Sequence, residues 1–151
     1  MRAADLMEDY PSIDVSASAL EAARAIVSEH RPALVVLDRG RPVTVLPGSQ
    51  VIALLVPPWL QEDPSLVHVF DEKAADEAAK RLRGKAVGDV LPQEKDRREL
   101  PVVRPDSTLM ECAAVMARLR TPLVVVAGKD GLMQGAVVAA TLLETLLARL
   151  T

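Results

Sequence analysis

Apolar and polar positions along this chain follow two rhythms, and the order in which the rhythms appear occurs twice. Over residues 20–29 apolar side chains return every three or four positions, with Leu20, Ala23, Ile26 and Val27 on one side, which predicts an amphipathic helix. Over residues 109–119 Leu109, Cys112, Val115, Met116 and Leu119 do the same. Each helix opens on the same signal, Ser18-Ala19-Leu20-Glu21 and Thr108-Leu109-Met110-Glu111, 90 residues apart. In such a box the hydroxyl accepts from the amide three residues on and the glutamate reaches back to the amide of the cap, so two orphaned donors are satisfied. Each helix also stops before a proline, Pro32 and Pro122, at the same offset of 90.

The period then changes. Leu34-Val35-Val36-Leu37 and Leu123-Val124-Val125-Val126 are continuous apolar runs, as expected of strands covered on both faces. Turn chemistry follows in Asp38-Arg39-Gly40-Arg41 and Gly128-Lys129-Asp130-Gly131. The chain then returns as Val43-Thr44-Val45-Leu46 and Gly135-Ala136-Val137-Val138, the second strands of two hairpins. A further helix is predicted after each, over 49–56 and over 141–150, the latter with Leu142, Leu143, Leu146, Leu147 and Leu150 along one stripe. Ala4-Asp5-Leu6-Met7 followed by Ile13-Asp14-Val15, and Gly88-Asp89-Val90-Leu91 followed by Val102-Val103, are read as the first strands. Between the copies a helix is expected over 73–83, with Asp76/Lys80 and Glu77/Arg81 on a wet face and Gly84 at its stop. Residues 93–99 are expected to form a solvated loop.

Composition narrows the function classes. With 151 residues, half of them apolar and 26% charged, the chain is an ordinary globular protein the size of one domain or two small ones. Tyr10, Trp59 and Phe70 are its three aromatics, too few for a base-stacking platform, and a net charge of -3 gives no pull toward nucleic acid. No apolar run approaches the roughly 18 residues of a membrane span and acids come too early in Met1–Asp14 for a signal peptide, so neither is expected, and the lone Cys112 gives no sign of an oxidising compartment, so a cytoplasmic location is expected. Cys112 is the single cysteine, and His30 and His68 have no ligand-spaced partners, so neither a disulfide framework nor a metal site is expected. No glycine-rich phosphate loop and no nucleophile elbow is present, which argues against an enzyme.

The duplicated order of a short Asp-containing opening, an extended segment, a capped helix, an apolar strand, a turn, a second strand and a helix resembles the CBS-domain pair. The resemblance implies an α/β (α+β) fold of two tandem β-α-β-β-α repeats about a pseudo-twofold axis: repeat 1 over 1–57, an inter-repeat linker with a helix over 58–86, and repeat 2 over 87–151. It implies a non-catalytic regulatory module that senses a small ligand in the inter-repeat clefts and signals to a partner protein, an enzyme, channel or transporter. The ligands it implies are AMP, ADP, ATP or S-adenosylmethionine, with no obligatory cofactor. In ligand-binding members of the family the second hairpin strand ends Gly-hydrophobic-hydrophobic-Thr/Ser-x-x-Asp, the hydroxyl meeting phosphate or ribose and the Asp accepting from the ribose hydroxyls.

This chain departs from that pattern in both copies. Pro47 and Gln50 stand at the hydroxyl and carboxylate positions of the first, Val138 and Thr141 at those of the second. Gln50 retains a neutral hydrogen-bonding amide, and Gly48 and Ser49 open a helix whose amides favour anions. Loss of the charged acceptor costs about 1.5–3 kcal/mol at each ribose-like contact, enough to weaken binding roughly tenfold to a hundredfold and, over two such contacts, to turn micromolar binding into millimolar. The alternative is therefore a protein-binding or dimerisation scaffold with degenerate nucleotide sites. Arg31 and Arg120, just before the central strands, are placed near where the family's clefts open; a solvated arginine at a helix end is the plainer reading. Cys112 falls on a core-facing position aligned with Ala22. Trp59 serves either as an interface anchor or as a cover for the core. The stripe Leu142, Leu143, Leu146, Leu147 exceeds what one small sheet requires, which points to a homodimer.

Overall fold

The computed structural model describes residues 1–53, 76, 80 and 82–150. Trp59, His68 and most of the expected 73–83 helix lie outside the described residues; Asp76, Lys80, Leu82 and Arg83 are helical, and Gly84 follows in a turn. The described elements are α1 (Ala3–Leu6), β1 (Ser12–Asp14), α2 (Ala19–Glu29), β2 (Ala33–Asp38), β3 (Arg41–Pro47), α3 (Gly48–Ala53), α4 (Val87–Val90), β4 (Val102–Val103), α5 (Leu109–Leu119), β5 (Leu123–Ala127), β6 (Met133–Val138) and α6 (Ala139–Ala148). They form two three-stranded sheets, ordered β1-β2-β3 and β4-β5-β6. In the second sheet β4 runs parallel to β5, with Val102 opposite Val125, and β5 runs antiparallel to β6, with Leu123 opposite Val138.

The long helices begin and end as the caps dictate. Ser18 accepts from the Glu21 N–H at 3.1 Å, and Thr108 from that of Glu111 at 3.1 Å, with the Glu111 carboxylate in turn accepting from the Thr108 N–H. Both close on a left-handed residue, His30 at φ 53° and Arg120 at φ 52°. The openings differ from the strand reading. Ala3–Leu6 and Val87–Val90 are single helical turns, because Asp5 and Asp89 accept from the Arg2 and Ala86 N–H groups and fold the chain back on itself. The extended pieces are only Ser12–Asp14 and Val102–Val103.

By contact the chain divides into two compact units. One comprises Met1–Tyr10, Leu37–Thr44 and Arg98–Thr151; the other comprises Pro11–Val36 and Val45–Arg97. Each helical turn thus serves the unit of the other half of the sequence. In the first unit Ala3 N–H donates to Ser107 O at 2.8 Å and Ala3 joins the core of Val103, Cys112, Val124, Val126, Val137 and Leu142. In the second, Val87 N–H donates to Ala17 O at 2.7 Å and Val87 joins Ile13, Ala22, Leu34, Val36, Leu46 and Val51. The segment after α1 continues in the first unit as a bridge from Glu8 to Ala136 of β6. A side chain at Gly135 would meet Glu8 O at 2.7 Å, so only glycine admits the two backbones so close together.

Two expected core faces shift. In α2 the buried residues are Ala19 and Ala22, while Val27 is 71% exposed, because the helix turns its smallest side chains toward the sheet and sits close to it. In α6 the leucine stripe splits: Leu142 is 3% exposed and Leu146 packs against the core, whereas Leu143 and Leu147 are 58% and 59% exposed. Residues i and i+4 share a helix face, so 142/146 and 143/147 form two adjacent rows, one inward and one outward.

Candidate functional site

The residues singled out for ligand binding lie at two strand-to-helix junctions, one in each unit. In the second unit β3 ends at Pro47 and α3 begins at Gly48, whose N–H donates to Pro32 O at 2.9 Å. In the first unit β6 ends at Val138 and α6 begins at Ala139, whose N–H donates to Pro122 O at 2.8 Å. The same hydrogen bond therefore pins each junction to the proline that ends the preceding long helix. A side chain at Gly48 would meet only ordinary van der Waals contacts, and the matching place in the other copy is taken by Ala139.

Spacing then sets the chemistry at each junction. Positions three apart across a helix start share a face, so Pro47 faces with Gln50 and Val138 with Thr141. Pro47, Gln50, Val138 and Thr141 are all half-buried, and Ser49 is exposed. The first junction offers one neutral amide with both donor and acceptor; the second offers one hydroxyl beside an apolar wall. Neither carries a carboxylate. Arg120 is the exposed left-handed residue closing α5, and the residue at its place in the other copy is His30, not Arg31. Arg31 is half-buried, one position further along.

Burial, with a smaller contribution from Glu111, pushes the Cys112 thiol up, so it stays protonated and inert inside the first unit. A paired guanidinium, Arg118 at 2.7 Å, holds the exposed Glu99 carboxyl below its usual range. Among the described residues no three His, Cys, Asp or Glu side chains converge as metal ligands, and no helix is long and apolar enough to cross a membrane.

Sequence reading passed over one further feature. In the first unit the two hairpin turns meet: Met133 N–H donates to Gly40 O at 3.0 Å. Beside this contact a cavity of about 400 Å³ opens between Arg41, Pro42, Val102, Val103, Arg104 and Gly131. The signal available in sequence was an arginine directly after each of two structural stops, Gly40-Arg41 and Val103-Arg104, but nothing local said that the two would converge.

No family model and no curated protein matches the chain by sequence. Solved structures do. A CBS domain-containing protein of unknown function from Kribbella flavida is 43% identical, with a TM-score of 0.87, over 97% of this chain and 99% of that one. The Arabidopsis thaliana CBS-pair protein CBSX2, solved in complex with AMP, is 19% identical with a TM-score of 0.68 over 99% and 98% of the two chains. The cytosolic domain of the Mg2+ channel MgtE, in complex with ATP, is 19% identical with a TM-score of 0.65 over 95% of this chain and 48% of that one. The latter two share the fold. The 43% identity over almost the full length of both chains, on a scaffold of two matched sheets with swapped opening turns, establishes that this chain belongs to the CBS domain-containing proteins.

Proposed function

We propose that the chain is a non-catalytic regulatory module that binds a small adenosyl ligand at its strand-to-helix junctions and passes the bound state to a separate partner protein. Repeat 1 (1–57), the linker (58–86) and repeat 2 (87–151) are the parts of this reading, and a cytoplasmic homodimer is its assembled form. The observation that carries it is the pair of junctions pinned by equivalent hydrogen bonds, each presenting two residues on one face. The AMP bound to CBSX2 and the ATP bound to the MgtE domain support the choice of ligand class. Arg31 is the residue we assign to phosphate in the first copy and Arg120 in the second. The exposed row of Leu143 and Leu147 supports association of two copies, with Leu142 and Leu146 holding α6 to its own core.

The test is thermal unfolding of the protein against AMP, ADP, ATP and S-adenosylmethionine. Ligand at about 100 times its dissociation constant adds about 2.7 kcal/mol, a shift of several degrees for a domain of this size. A shift that is lost in Arg31→Ala is the expected result. An unchanged midpoint at millimolar concentrations of every compound favours the second reading, a partner-binding scaffold, which the replacement of the family's hydroxyl and carboxylate by Pro47, Gln50, Val138 and Thr141 supports.

A further inference from the structure

The cavity beside the paired hairpin turns is lined differently from the two junctions. Its floor is the outer edge of the second sheet: β4 is an edge strand, Val102 is 42% exposed there, and Val103 and Pro42 complete an apolar surface. Its rim carries two guanidinium groups from distant parts of the sequence. Arg104 donates through Nη1 to Gly128 O, which fixes the plane of its fork and, among the described residues, leaves its other N–H groups uncommitted. Arg41 lies across Gly131, its Nη1 2.8 Å and its Cζ 3.5 Å from where a Cβ would stand. Gly131 has φ +81° as well, so glycine there serves both the turn and the passage of the guanidinium.

The rim carries two cations and one neighbouring acid. Among the described residues no carboxylate pairs with Arg41 or Arg104. Asp130, the nearby acid, is committed to its own turn, accepting from the Leu132 N–H at 3.0 Å. Two planar, permanently charged forks over an apolar floor match an oxyanion carried on a hydrophobic body, because the forks bind carboxylate or phosphate bidentately while the floor removes apolar surface from water. The volume of about 400 Å³ falls within the 300–1,000 Å³ range of ligand pockets.

We propose that Arg41 and Arg104 form an oxyanion-binding site over the β4 edge, which takes a compact apolar molecule bearing one carboxylate or phosphate. It is separate from the Val138–Thr141 junction. Val138 pairs with Leu123 at the start of β5, whereas the cavity opens past Ala127 at its end, roughly 13 Å away at 3.3 Å per residue.

The probes are phenyl phosphate and benzoate, with inorganic phosphate and neutral benzamide as controls, titrated into the full chain and followed by NMR at the Val102 and Val103 methyls and the amides of residues 128–131. We expect saturable shifts there with at least one of the two aromatic anions. Each control should bind at least tenfold more weakly, and Arg41→Gln and Arg104→Gln should each weaken the aromatic anion tenfold or more. The ratio of phenyl phosphate to benzoate affinity tells which oxyanion the site prefers. Because Arg41 is exposed, its variant should keep the spectrum of the folded chain even if Arg104→Gln perturbs the Gly128 turn. Benzamide equal to benzoate and phenyl phosphate, or anion binding unchanged in Arg41→Gln, overturns the proposal. Saturating AMP should leave these shifts in place, so failure here is distinguishable from failure of the adenosyl reading.

Discussion

The two copies bury the same seven positions, six of them with different side chains. Ile13, Ala22, Leu34 and Val36 of one core correspond to Val103, Cys112, Val124 and Val126 of the other, each 90 residues on, and Leu46 and Val51 correspond to Val137 and Leu142, 91 residues on. Val87 and Ala3 fill the seventh place from the swapped turns. The losses and gains offset one another. The second copy is smaller at Val103, Val124, Val137 and Ala3, and larger at Cys112 and Leu142. It also buries Leu109 and Met116, where the first has Ala19 and the half-buried Ile26. A core tolerates such exchange when total volume and pattern are kept. The backbone is held more strictly: the pinned junctions, the left-handed helix ends and the swapped turns recur in both copies, while Pro47 and Gln50 of one junction give way to Val138 and Thr141 at the other.

The comparison breaks most visibly if one member of a buried pair is emptied. Leu46→Ala and Leu142→Ala should each cost about 2–5 kcal/mol in urea unfolding, one in each unit. An unchanged stability for Leu142→Ala would return that residue to the outer face of α6.

Exchanging the smallest pair sharpens the comparison. Cys112→Ala should cost about 0.5–1.5 kcal/mol, the size of a single-group truncation, and Ala22→Cys about 1–3 kcal/mol through overpacking. The thiol adds a pH signature. Its folded pKa is raised, so its contribution is intact below the unfolded value of about 8.5 and declines as pH rises above it, where the unfolded chain ionises first. Wild type should therefore lose stability relative to Cys112→Ala in alkaline buffer. A constant difference between the two from pH 7 to 10 would contradict the burial of Cys112.

The smallest effect concerns the helix ends. His30→Gly and Arg120→Gly each relieve a left-handed side-chain conformation and should raise stability by about 0.5–1 kcal/mol in either copy. A loss at either position would mean that the side chain makes a contact worth more than the strain.

Much of the fold was legible because its signals are local. The Ser18 and Thr108 caps, the stops before Pro32 and Pro122 and the unbroken apolar runs of β2 and β5 each state their own element. The single-turn helices at Asp5 and Asp89 were missed because one turn leaves no period to detect; only the acid three residues after each cap marked them. Val27 was misplaced because apolarity was followed rather than size, whereas α2 approaches its sheet through Ala19 and Ala22. At the junctions the alignment located Pro47, Gln50, Val138 and Thr141 and their departures from the family pattern. The convergence of Arg41 with Arg104 was invisible, since residues 63 positions apart meet only through tertiary packing of two turns.

The measurement that tests the central reading most directly is calorimetric titration of AMP into wild type, Gln50→Asp and Thr141→Asp. Restoring the carboxylate to a half-buried junction should recover about 1.5–3 kcal/mol, so the reading predicts weak binding to wild type and binding tightened roughly tenfold to a hundredfold in at least one variant. Absence of heat in all three at millimolar AMP would contradict an adenosyl-sensing module.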